Sequence, residues 1–223
     1  HPTYSHCMAR RGSYAKGVAK REEILSTALE VIATHGYRRA SVRELADAVG
    51  LSQAGLLHYF DSKEELFTEV LRKRDEVDAA TLTNAQSLED ADPSEMLADF
   101  LRVMRHNSEV PGLVHLHAAL SAEAGDAGHP AHTFFAQRYV SMRRLLANAI
   151  RLQQARGTMR PDLDAEAFAI TLIAIADGLQ VQWIHEPTLD MASHIEGILA
   201  LVAVPGAEMT TAATAAATTP ALG

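Results

Sequence analysis

The sequence predicts an all-α fold of about nine helices, and three observations predict it. Apolar residues recur at three- and four-residue spacing almost throughout the 223 residues, the interval that lines one face of a helix. No Val/Ile/Thr-rich run alternates with polar residues between turn signals, as a half-buried strand would. Helix-start chemistry also recurs: Ser41 with Glu44 and Ser62 with Glu65 are capping boxes, and Asp92-Pro93 sets a cap before a proline suited to a first helical position. A hydrophobic share of 48% supplies a core, while the single Cys7 excludes an intrachain disulfide and a cysteine zinc site and fits a reducing compartment.

The elements follow in order. Residues 1–15 are expected to be a disordered or extraneous arm, with Met8 as the native start. The first helix covers about Lys16 to His35, with Ile24, Leu25, Ala28, Leu29, Val31 and Ile32 inward and Gly36 ending it in a left-handed cap. Two short helices follow, Ser41 to Gly50 and Ser52 to about His58, and Lys63 opens a longer fourth helix into the high seventies. An acidic linker, Ser87 to Asp92, leads to helix five, which ends near Asn107 before the Pro111-Gly112 break. Helix six runs to about Ala122, helix seven from Pro130 to near Gly157, helix eight from an Asp164 cap to about His185, and helix nine from about Leu189 to Val204. Residues 205–223, nearly all Ala, Thr, Pro and Gly, are too poor in bulky apolar side chains to offset their ordering entropy and read as a flexible tail.

Charge divides the chain. Residues 1–63 carry nine Lys/Arg against six Asp/Glu, a balance of +3, and the remainder eleven against twenty-two, or −11. The N-terminal segment is therefore the one suited to a polyanion, and the rest repels it. No run approaches the roughly 18 uninterrupted apolar residues of a membrane span, so a cytoplasmic protein without a membrane partner is expected.

Two short helices joined at Ala48-Val49-Gly50-Leu51-Ser52 have the size and spacing of a helix-turn-helix, whose second helix enters the major groove of DNA. Leu45-Ala46, Gly50-Leu51-Ser52, Leu56, His58-Tyr59-Phe60 and Ser62-Lys63-Glu64 with Leu66 closely resemble the helix-turn-helix of the tetracycline-repressor (TetR) family. The resemblance implies a three-helix DNA-binding domain over 16–63 and a ligand-binding and dimerisation domain over 64–204. It also implies a repressor released from a palindromic operator by a small-molecule effector, with no cofactor and no enzymatic activity. Gln53 and Ala54 would face base edges, an amide pairing with adenine and a methyl packing on thymine, and Arg43 would reach a guanine or a phosphate. Ser41, Tyr59 and Lys63 would clamp phosphates, with His58 beside them. Gly55 and Leu57 stand where the family usually has Thr and Tyr, so one hydroxyl and one aromatic contact are missing from the DNA-facing surface. Arg10, Arg11, Lys16, Lys20 and Arg21 are either further phosphate contacts or a solvated basic start.

In the C-terminal body, Ile170 to Ile184 is apolar on nearly every face, more than one core requires, which points to an interface. Ala176 to Trp183 resembles a penultimate helix that pairs subunits in one branch of the family, so a twofold dimer through Ile175, Leu179, Gln182, Ile195, Ile198 and Leu199 is expected. The implied effector pocket draws on Phe100, Met104, Leu116, Leu120, Phe134, Phe135, Tyr139, Met142, Ile173, Asp177 and Trp183, a set suited to a hydrophobic or aromatic molecule, although Met and aromatic residues at helical spacing are core more often than ligand contacts. Asp177 could line the pocket or face the partner. His115 and His117 point about 200° apart on a helix and do not share an ion easily, so no metal site is expected. The alternatives are a DNA-binding protein that senses nothing and a helical enzyme with a vestigial helix-turn-helix; no phosphate-cradling glycine loop or nucleophile elbow supports the latter.

Overall fold

The computed structural model of the chain describes residues 5–37, 40–82 and 92–207, with the backbone alone for 5–15. The helices are α1 (Ser5–His35), α2 (Val42–Ala48), α3 (Gln53–Leu56), α4 (Lys63–Leu82), α5 (Met96–Asn107), α6 (Pro111–Glu123), α7 (His132–Ala155), α8 (Ala165–His185) and α9 (Met191–Val202). Among the described residues the only β-type pairing is an isolated bridge, Met159 with Ala203. The termini of these helices are where the caps lie. Ser41 Oγ accepts from the Glu44 amide while the Glu44 carboxylate accepts from the Ser41 amide, completing the box. Ser62 Oγ accepts from Glu65 N at 3.0 Å, and Asp164 caps α8 through Glu166 N and Ala167 N. Gly36 and Gly50 take φ of +84° and +68°, the left-handed conformations that end α1 and turn the chain between α2 and α3.

Three boundaries differ from expectation. Helix α1 begins at Ser5, inside the stretch expected to be an arm; no proline lies between Ser5 and Lys16 to stop a helix growing backwards. The third helix is bounded at Leu56, with Leu57 as its C-cap, although helical bonds from Leu57 N to the Gln53 carbonyl and from His58 N to the Ala54 carbonyl carry the turn on to His58 as expected. Helix α5 starts at Met96, not after Asp92: the Asp92 carboxylate accepts from Ser94 N and holds a separate turn ahead of it. The tail from 208 onward and most of the acidic linker lie outside the described residues.

The described residues form two compact units, one up to Arg74 together with Pro111–Ala131, the other of Asp75–Val110 and the segment from His132 onward. In the first, Ile24, Leu25, Ala28 and Ile32 of α1 are buried with Leu45, Leu56, Phe60, Leu66 and Phe67. Helix α6 belongs to this unit because Gly112, in its first turn, lies against the end of α1. A Cβ at Gly112 would collide with the Ile32 carbonyl oxygen and lie 2.8 Å from the Gly36 Cα. The second unit is built on Phe100, Leu101 and Met104 of α5, Leu145, Leu146 and Ile150 of α7, Phe168, Leu172 and Trp183 of α8, and Ile195 and Leu199 of α9. By length and composition α8 is apolar enough to cross a membrane. Its Phe168, Ala169, Leu172, Ala176, Leu179 and Trp183 nevertheless form a buried stripe.

Two glycines separate packing from propensity. Gly112→Ala should lower stability by about 2 kcal/mol, as overpacking against backbone does, and shift the urea midpoint with little change in slope. Gly17→Ala, where a Cβ meets nothing within 4 Å, should raise stability by about 0.5–1 kcal/mol.

Candidate nucleic-acid interface

The helix-turn-helix is held rigid by α1. The Arg21 guanidinium donates to the Tyr59 carbonyl, just beyond α3, lies 3.4 Å from both Glu65 Oε1 and Glu69 Oε2 of α4, and stacks 4.2 Å above the Phe60 ring. Lys20 donates to the Val49 carbonyl at 3.1 Å, at the turn itself, and pairs with Glu23 at 2.8 Å. Lys73 joins Glu22 at 2.7 Å. Lys20 and Arg21 therefore staple the segment internally, a role that neither a phosphate-contacting nor a solvated basic start anticipated. Their partners lie 29 and 38 residues away, so no local pattern could have shown it. Lys16 is exposed, and the Arg10 and Arg11 side chains lie outside the described residues.

With the frame pinned, the residues expected to read DNA divide by exposure. Gln53, Ala54, Leu57 and His58 are exposed, while Leu56 and Phe60 are buried and set the orientation of the segment. Ser52 Oγ accepts from Gly55 N at 3.0 Å, and a Cβ at Gly55 would sit 3.2 Å from that oxygen. The glycine that weakens the helix thus leaves room for its cap. Leu57 is 38% exposed, an apolar side chain kept in water. Arg43 is exposed, its guanidinium 4.0 Å from Asp47, an ion pair of little energetic weight in solvent. Tyr59 is half-buried, edge-on to His58 at 5.9 Å between centroids. Lys63 is exposed at the start of α4, its ammonium 5.4 Å from the Phe67 ring centroid. Ser41 is already committed, its hydroxyl within hydrogen-bond reach of both the Glu44 amide and carboxylate.

The second unit departs further from expectation. Phe100, Met104, Phe134, Phe135, Met142 and Trp183 are buried core, and Leu116 and Leu120 are buried on α6 of the first unit. Among the described residues a groove of about 410 Å³ lies between α7 and α8, lined by Ala136, Tyr139, Val140, Arg143, Ile170, Ile173, Ala174 and Asp177. Only Tyr139, Ile173 and Asp177 of the expected set line it. The Tyr139 hydroxyl donates to Asp177 Oδ2 at 2.8 Å. Burial, and then the Asp177 carboxylate, push the Tyr139 phenol up to about 12. Burial likewise raises Asp177, against the opposing pull of the Tyr139 hydrogen bond and of Arg138. Arg138 itself forks onto Asp75 of α4, Nε to Oδ2 at 2.8 Å and an Nη to Oδ1 at 3.2 Å.

Of the residues expected at a subunit interface, Leu179, Ile195 and Leu199 are buried within the unit and Ile175 and Ile198 half-buried, leaving Gln182 exposed. The periodicity that marked them as apolar belongs to the core stripe. The outward stripes carry Ile170, Ala174, Gly178 and Val181 on α8 and Gly197, Ala200 and Leu201 on α9, with Leu201 73% exposed. His115 is bonded to the Pro111 carbonyl oxygen at 2.8 Å, and His129 accepts from Ala131 N at 3.1 Å. No three His, Cys, Asp or Glu cluster as a metal site would require among the described residues.

Comparison with known proteins agrees with this architecture. Residues 24–70 match the family model for bacterial regulatory proteins of the TetR family, and residues 129–203 match the C-terminal model of BetI-type transcriptional repressors. The HTH-type transcriptional repressor AcnR of Corynebacterium efficiens is 29% identical over 73% of this chain and 81% of its own. The HTH-type transcriptional repressor KstR2 of Mycolicibacterium smegmatis is 29% identical over 66% of this chain and 71% of its own. A solved structure from Rhodococcus sp. superposes with a TM-score of 0.63 at 23% identity, covering 83% of this chain and 98% of that one, and so shares the fold. Two family models at the two ends of one all-helical chain, with the helix-turn-helix where the first requires it, place the protein in the TetR family of bacterial regulatory proteins, as a DNA-binding transcriptional repressor.

Proposed function

We propose that the protein binds a palindromic operator as a twofold dimer and is released by a small-molecule effector held in the second unit. The observation that carries the DNA-binding part is the exposed set Arg43, Gln53, Ala54 and Leu57 on a helix-turn-helix that Arg21 and Lys20 fasten to α1. Gln53 and Arg43 read base edges, Ala54 and Leu57 offer methyl groups to thymine, and Lys63 with Tyr59 and His58 sets the register on phosphates. Ser41 serves first as the cap of α2 and only secondarily as a phosphate contact.

The outward stripes of α8 and α9 suit a four-helix interface between two copies. Outside the α7–α8 groove, their small residues Gly178, Gly197 and Ala200 allow close approach and their exposed Val181 and Leu201 gain from burial. Such a dimer sets two α3 helices about 34–36 Å apart, one DNA turn. Helix α4 is the element through which an effector acts. Its first half is tied to α1 by Arg21 with Glu65 and Glu69 and by Lys73 with Glu22, and its second half to α7 by Asp75 with Arg138. A displaced α7 therefore pulls on a helix that carries the DNA-reading segment. The apolar walls of the α7–α8 groove suit an effector with a hydrophobic or aromatic body.

Gln53→Ala should lower operator affinity by about 1–3 kcal/mol and leave random DNA unaffected, whereas Lys63→Ala should weaken both alike and reduce the salt slope by about 1, as fluorescence anisotropy at several salt concentrations will show. Equal losses from both substitutions on both DNAs would refute this division of labour. Val181→Glu with Leu201→Glu should halve the mass seen in sedimentation and abolish tight operator binding while the helical circular dichroism is retained. In band-shift assays on a footprinted operator, fractionated metabolite extract should release the wild-type protein; operator binding that withstands every fraction would favour a repressor that senses nothing.

A further inference from the structure

The groove between α7 and α8 has an acidic and a basic side chain on its wall, and neither is held in a close ion pair among the described residues. The two helices are antiparallel, in a register marked at one point by Tyr139 with Asp177 and nearer their linked ends by Arg151 with Glu166 at 2.5 Å. In that register Arg143, one turn beyond Tyr139, stands opposite Ile173, about 6 Å along the groove from Asp177 by the rise of four helical residues. Among the described residues the Arg143 guanidinium donates only to the Tyr139 carbonyl, through Nε at 3.2 Å, and Asp177 accepts only from the Tyr139 hydroxyl. Neither has an ion-pair partner within 4.0 Å among the described residues. Arg138, the other nearby cation, is engaged by both oxygens of Asp75. Between the two charges the walls are Ala136, Val140, Ile170, Ile173 and Ala174, with Val140 and Ile170 exposed at the rim. A charged group within a largely apolar cavity gains when a ligand supplies its opposite charge.

We infer that this groove binds a small zwitterion with an apolar middle, its ammonium on Asp177 and Tyr139 and its carboxylate on Arg143. A simple organic cation would leave Arg143 unmatched and a simple acid would leave Asp177 unmatched, so the pair selects for both charges in one molecule. The inference rests on the reading that the second unit holds the effector and names that effector's chemical class.

The test uses three probes of one shape: 4-(aminomethyl)benzoate, 4-methylbenzylamine and 4-methylbenzoate. Each is titrated into the full-length, DNA-free protein while the methyl resonances of Ala136, Ile170, Ile173 and Ala174 are followed by NMR. The zwitterion should bind about tenfold or more tightly than either single-charge probe, as expected when one charge-assisted contact is gained at each end. Asp177→Asn, which keeps an acceptor for the Tyr139 hydroxyl, and Arg143→Gln should each abolish that preference. The ranking of the three probes on the wild-type protein needs no variant to fold. A cation or acid binding as tightly as the zwitterion, a preference that survives both substitutions, or no methyl shift with any probe because a second copy covers the groove, would each overturn the assignment. Because no DNA is present, these outcomes are independent of operator release, which the metabolite-fraction assay decides separately.

Discussion

The DNA-reading segment depends on one guanidinium. Helix α3 has four residues, far below the length at which a helix is stable in water, and it contains a glycine. Leu56 and Phe60 anchor it from below, and Arg21 closes it from the side by taking the Tyr59 carbonyl, two carboxylates of α4 and the face of the Phe60 ring. A flexible lysine could not serve all of these at once, since the arrangement uses both the planar face and the several donors of the guanidinium. Removing it would leave a backbone carbonyl and two acids of α4 without their partner, so the effect on DNA binding would come through position and not through lost contact with DNA.

The same device recurs on the second half of α4. Arg138 is partly buried, with 20% of its side chain exposed, and its charge is met by a two-pronged bond to Asp75. Buried ion pairs often contribute little net stability, but they hold geometry because breaking one leaves an unmatched charge. Helix α4 is thus fastened by arginine–carboxylate contacts to α1 at its start and to α7 further along, and it is continuous between them. The same helix carries Glu65 and Glu69, the carboxylates that hold Arg21 in place.

The candidate DNA surface was largely legible in the sequence because its signals are local. The capping boxes, the glycine of the turn and the alternation of buried Leu56 and Phe60 with exposed Gln53, Ala54 and Leu57 all lie within a few residues of one another. The effector site was not. Phe100, Met104 and Phe135 read as either pocket or core because both require apolar side chains at helical spacing, and the fold closes them into core. Arg143 carried no sequence signal at all, being one exposed-looking arginine among several on α7. The residues expected at the subunit interface divide for a related reason: Leu179, Ile195 and Leu199 turn inward, and the outward stripes mix small residues with Ile170, Val181 and Leu201.

The sequence by itself determined the all-helical class, the order of the helices, the helix-turn-helix and the polarity of charge along the chain, since each is set by periodicity, capping or composition over short windows. Only the tertiary structure decided that Lys20 and Arg21 bond to the Val49 and Tyr59 carbonyls, that α6 joins the N-terminal helices through Gly112, and that Asp177 and Arg143 share one groove. These depend on pairings across tens of residues, where a side chain's role follows from which distant backbone or charge it meets, and one-dimensional spacing holds no record of that.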